Sequence, residues 1–84
     1  AVFGANEVVY VDLGTSDGLQ VGNLLYISRP REATKLSVRE DLPLPDVLLG
    51  TAVVLESRRT AASALILKAL DPIETGDRVR TLVD

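Results

Sequence analysis

Residues 47–70 read VLLGTAVVLESRRTAASALILKAL, two apolar runs on either side of one polar break, Glu56-Ser57-Arg58-Arg59-Thr60. The second run, Thr60 to Leu70, is rich in Ala and Leu, and Thr60 could cap a helix. Such a helix would be apolar on nearly every side and would need burial all round, which a chain this short can hardly supply. As a strand, it places Ala62, Ala64 and Ile66 on one face and Leu65 and Leu67 on the other, the pattern of a strand covered on both faces in a barrel or sandwich. Thr51, Val53 and Val54 in the first run carry branched side chains that favour extended backbone. The spacing therefore predicts a long β-hairpin.

The hairpin sits in a chain of 84 residues, expected to be a single domain spanning 1–84 with a small core. Cys, His, Met and Trp are absent, so there is no disulfide framework, no thiolate or imidazole ligand, and no Cys or His nucleophile or base. A net charge of −3 argues against nucleic acid, whose binding draws on clustered Lys and Arg. No apolar run approaches the ~20 residues that cross a bilayer, so direct membrane insertion is not expected. The opening Ala1-Val2-Phe3-Gly4 leads almost directly into a strand and reads as a piece of a longer chain.

Working outward towards the N-terminus, Glu7 to Leu13 alternates, with Val9, Val11 and Leu13 on one face and Val8 and Tyr10 on the other. Gly14 to Gly18 turns, the chain turns again through Leu19 to Leu24, and Asn23 to Ser28 forms a second strand. Arg29 to Asp46 holds three of the four prolines and mixed charges, and it reads as a solvated excursion with a short extended piece over Lys35 to Arg39. Past the hairpin, Asp71-Pro72 breaks the strand, Glu74-Thr75-Gly76-Asp77 turns, and Arg78 to Val83 returns with Val79 and Leu82 inward. Leu19 to Leu25 and Ile73 to Val79 echo one another: an apolar residue, Gly three places on, then Asn or Asp, then a strand. In such a turn Gly takes positive φ and the Asn or Asp side chain bonds nearby backbone, so the pair predicts two equivalent corners of one barrel.

On these residues the chain resembles a module found downstream of LysM repeats in bacterial peptidoglycan-binding envelope proteins. Residues 8–30, VVYVDLGTSDGLQVGNLLYISRP, are similar to its order of strand, Gly, short turn, Gly-Leu-x-x-Gly-Asn, strand and Arg-Pro. Leu49-Gly50-Thr51-Ala52-Val53-Val54, Ser63-Ala64 and Ile73 to Val79 resemble its second half, which is shared with the C-terminal module of the flagellar assembly protein T family. The resemblance implies a β-barrel accessory domain in the periplasm or cell envelope, with peptidoglycan met through a neighbouring domain or another envelope protein.

The residues themselves arm no chemistry. Asp12 and Asp17 could be imagined as a glycosidase pair or, with Gly14 and Gly18, as a calcium loop, but they read as turn formers and miss the ligand spacing of such a loop. Ser28, Ser57 and Ser63 have no His to activate them, and no phosphate-cradling Gly-Lys-Ser or Gly-Lys-Thr occurs. Catalytic, cofactor-binding and metal-ligating residues are therefore all expected to be none. Arg58 and Arg59 at the hairpin tip, and Arg29 and Arg31 at a strand end, are the cations that would meet a partner's carboxylates or phosphates, although arginines at turns are usually just solvated. The sequence thus predicts an all-β fold, a small closed or partly open barrel of the SH3-like or OB-like kind with five to seven short antiparallel strands. Its expected role is that of a non-catalytic accessory or interaction module. The alternatives are a barrel that binds an oligosaccharide or peptide on its own, marked by a cluster of Tyr10, Tyr26 and arginines, and a regulatory domain of a larger enzyme. An open sheet edge would also let two copies form a homo-oligomer.

Overall fold

The computed structural model describes residues 2–29 and 46–81. Seven strands follow in order: β1 (Val2–Phe3), β2 (Val8–Val11), β3 (Leu24–Arg29), β4 (Val47–Ser57), β5 (Ala62–Ala69), β6 (Ile73–Glu74) and β7 (Arg78–Thr81). Five of them make one curled antiparallel sheet in the order β2-β5-β4-β3-β7, while β1 and β6 pair as a separate two-stranded ribbon. The result is a small, partly open, barrel-like all-β fold, as the sequence predicts.

The β4–β5 hairpin is its axis, and the Ala- and Leu-rich run weighed above as a helix holds strand β5. Ala62, Ala64 and Ile66 are buried, as are Ala52 and Val54 of β4, Leu25 and Ile27 of β3 and Val11 of β2. All belong to the concave core, together with Leu49 of β4, Ile73 of β6 and Leu19 from the segment before β3. Register shifts between Thr51 and Ala52 and between Val54 and Glu56 interrupt the hairpin ladder. Bulges of this kind add twist and help a sheet of few strands curl round a core.

The alternation in β5 suggested cover on both faces, but Leu67 is 48% exposed and Leu65 is only partly buried. A chain of this size folds one layer over one core and has too little further surface to cover the convex side. The polar break is also shorter than predicted, because Glu56 and Ser57 remain in β4 and the chain turns through residues 58–61, closed by Arg58 N donating to Ala61 O at 2.8 Å. Ile73 and Glu74 form a strand where only a turn was expected; two residues are too few to carry a readable period. The Lys35 to Arg39 piece, Leu82 and Val83 lie outside the described residues.

Candidate functional site

The two echoing segments build the same corner. At the first, Gly22 has φ 90°, Asn23 N donates to Gln20 O at 3.0 Å, and the Asn23 Oδ1 accepts the Gln20 N–H at 2.9 Å. At the second, Gly76 has φ 97°, Asp77 N donates to Glu74 O at 3.1 Å, and the Asp77 Oδ2 accepts the Glu74 N–H at 2.8 Å. Only glycine takes such φ values without a steric cost, and the Asn or Asp then satisfies a backbone donor that the turn would otherwise leave open. The corners lead into β3 and β7, which pair with each other.

The second corner also consumes one of the candidate cations. The Arg29 guanidinium grips Asp77 through two bonds of 2.8 Å and lies 3.2 Å from Glu74. The Asp77 side chain is 8% exposed, and the hydrogen bond from Arg29 holds its carboxyl below the ordinary carboxylate value despite the opposing effect of burial. This fork ties the end of β3 to the β6–β7 corner. Asp77→Ala leaves the Glu74 N–H without its acceptor and the Arg29 guanidinium with only the exposed Glu74 carboxylate and the Pro72 carbonyl. It should cost about 2 kcal/mol, read as a lower urea midpoint at unchanged m-value. Because the folded carboxyl titrates lower than the unfolded one, its contribution is complete above the unfolded value of 3.8 and disappears as pH falls through the lower folded value. Asp77→Asn should flatten that part of the acid-unfolding profile.

The other candidates are likewise employed in the fold or left in solvent. Arg58 Nε pairs with Glu56 Oε1 at 2.8 Å on the surface, and this hydrogen bond raises the arginine pKa. Asp17 accepts the Gly14 N–H at 3.0 Å, closing the turn that the calcium reading had considered, and Asp12 is exposed. That turn docks onto the hairpin end: Thr15 N donates to Arg58 O at 2.7 Å, and Ser16 donates to Arg59 O through its N at 3.1 Å and its Oγ at 2.7 Å. Ser57 Oγ donates to Leu19 O at 2.9 Å, and Ser28 Oγ donates to Asp46 Oδ2 at 3.4 Å. Among the described residues no group of three or more His, Cys, Asp or Glu side chains is arranged to hold a metal, and Arg31 lies outside them. Tyr10 and Tyr26 do not form a cluster: they stand on β2 and β3, with β5 and β4 between them.

What the topology does bring together is an apolar seam. β2 and β7 end the five-stranded sheet and run parallel to one another, and between them opens a groove of about 570 Å³ whose lining is mainly apolar, with Phe3, Val9, Val11, Ile27, Ile73 and Val79, but also takes in Val8, Tyr10 and the carboxylates of Asp12, Glu74 and Asp77. Its volume falls within the ~300–1,000 Å³ of pockets that hold ligands or side chains. Ile66 N donates to Glu7 O at 2.9 Å, so the residues of β2 alternate from there: Val9 and Val11 direct their backbone groups to β5. Those of Val8 and Tyr10 face the edge that pairs with no strand among the described residues. Sequence reasoning missed this seam because its lining comes from five separate segments.

No protein-family model, curated protein or solved structure matches the chain.

Proposed function

We propose that this chain is a non-catalytic interaction module, the accessory β-barrel of a LysM-type peptidoglycan-binding protein of the bacterial cell envelope. It meets peptidoglycan through a neighbouring domain and works in the periplasm or envelope. The observation that carries the interaction reading is the seam, where a mainly apolar groove runs beside an edge of β2 that pairs with no other strand among the described residues. An edge of this kind gives affinity through main-chain hydrogen bonds, and the groove beside it gives selectivity for side chains, which is how extended protein segments are held. The two matched Gly-Asn and Gly-Asp corners, which are the residues carrying the family resemblance, support the envelope assignment.

The apolar lining favours a second reading in which the barrel itself binds a peptide, the stem peptide of peptidoglycan included. Co-sedimentation with purified peptidoglycan sacculi at low and high salt separates the two. The accessory module stays in the supernatant at high salt. Salt-resistant pelleting would overturn the accessory reading in favour of direct binding.

A further inference from the structure

The convex face of the sheet carries a row of apolar side chains that the core does not use. The ladder places Leu24 opposite Val53, Val53 opposite Leu65, and Leu65 opposite Val8, a straight line across β3, β4, β5 and β2. Directly paired residues point to the same face, and the buried neighbours Leu25, Val54, Ala64 and Ile66 occupy the other. Leu24 is 43% and Val8 50% exposed, and the bulge residues Leu55 and Leu67 beside the row are 46% and 48% exposed. An antiparallel sheet with one solvated face ordinarily alternates apolar inside with polar outside, so an uncharged row at the centre of the convex face marks a surface made for contact.

The flanks of the row say what covers it. Beyond Val53, β4 continues through Leu55 to Glu56; beyond Leu65, β5 continues through Leu67 to Lys68. The two strands are antiparallel, so these matching sequences leave the row in opposite directions. A two-fold axis lying along the row turns a second copy end for end. It brings the Leu55 and Glu56 end of one chain over the Leu67 and Lys68 end of the other, within one strand spacing of ~4.8 Å. Leucine then meets leucine and carboxylate meets ammonium, twice in each pair. We infer that the convex face of the β2-β5-β4-β3 sheet is a homodimer interface, closed by a second copy related by this axis. Arg58 takes only the Oε1 of Glu56 in an exposed pair, which is weak enough to share its carboxylate. The dimer deepens the interaction reading by naming one partner, and it meets the seam at Val8, which belongs to both the row and the groove lining.

Sedimentation velocity across micromolar to millimolar chain concentrations tests the assignment. The chain should dimerise and go no further, because an isologous contact closes on itself. Glu56→Lys sets ammonium against ammonium at both ends and should weaken association about tenfold. Adding Lys68→Glu exchanges the charges and should restore it to within about threefold of the parent. Both residues are exposed, and circular dichroism of each variant checks that the fold persists. A chain that stays monomeric at millimolar concentration overturns the inference, as does a dimer whose affinity ignores both changes. An edge-paired dimer through β2 would show itself by sensitivity to Tyr10→Pro and indifference to the charge exchange, and it too would overturn the inference. None of these outcomes depends on whether the chain pellets with sacculi.

Discussion

Gly50→Ala is expected to lower stability by about 3 kcal/mol, at the upper end of overpacking costs, because the new methyl has no space to enter. Gly50 lies in β4 between Ile27 of β3 and Ala69 of β5. A Cβ there would collide with the Lys68 carbonyl oxygen and would come within 3.2 Å of Ile73 Cδ1 and 3.3 Å of Ala69 Cα. Two of these neighbours are backbone atoms of the central hairpin, and neither can rotate aside as a long side chain would. Relief requires spreading the β4–β5 ladder or expelling Ile73, which is 4% exposed in the core. For a domain of this length, whose total stability is on the order of 4–13 kcal/mol, the loss is a large fraction. Urea unfolding followed by circular dichroism measures it. Gly4→Ala serves as the control, since nothing lies within 4 Å of a Cβ at Gly4 and that change should be close to neutral. Equal losses at the two positions would contradict the packing described for the hairpin.

Ile66→Ala should cost a similar or larger amount, about 3–4 kcal/mol, through an opposite mechanism. Ile66 is 0% exposed and stands on the concave face of β5, the strand flanked by β2 and β4. Its backbone anchors the start of β2, donating to Glu7 O at 2.9 Å and accepting from Asn6 N at 2.8 Å, so little collapse into the vacated volume is open to it. Truncation removes apolar contact and leaves a cavity, and the two costs add. Leu67→Ala removes the same three carbons from the next position, yet Leu67 is 48% exposed and the change should cost less than ~1 kcal/mol. The contrast between adjacent residues is the energetic signature of a strand with one buried face. Comparable losses at both positions would mean that the convex face is covered in the isolated chain.

The order of strands was largely readable from local patterns. Alternation in Glu7 to Leu13 put Val9 and Val11 on one face and Val8 and Tyr10 on the other, and the structure has Val11 buried and Tyr10 86% exposed. The Leu-x-x-Gly-Asn and Ile-x-x-Gly-Asp segments form the equivalent corners they predicted, since glycine at positive φ followed by a capping side chain is a property of a few consecutive residues. The seam was not readable, because Phe3, Val11, Ile27, Ile73 and Val79 meet only when the sheet curls. The Arg29–Asp77 fork was not readable either. It joins residues 48 apart in the chain, and nothing local distinguishes a staple from a solvated arginine.

By itself, then, the sequence determined the longer strands, which of their residues share a face, and their corners, because side-chain alternation and turn chemistry act over two to seven neighbouring residues. Tertiary structure alone decided which apolar residues stay outside the core. Leu65 and Leu67 are as hydrophobic as Ile66, but a single curled sheet has one concave side, and residues of opposite parity cannot share it. That division left one apolar row on the convex face, opposite the face that holds the core.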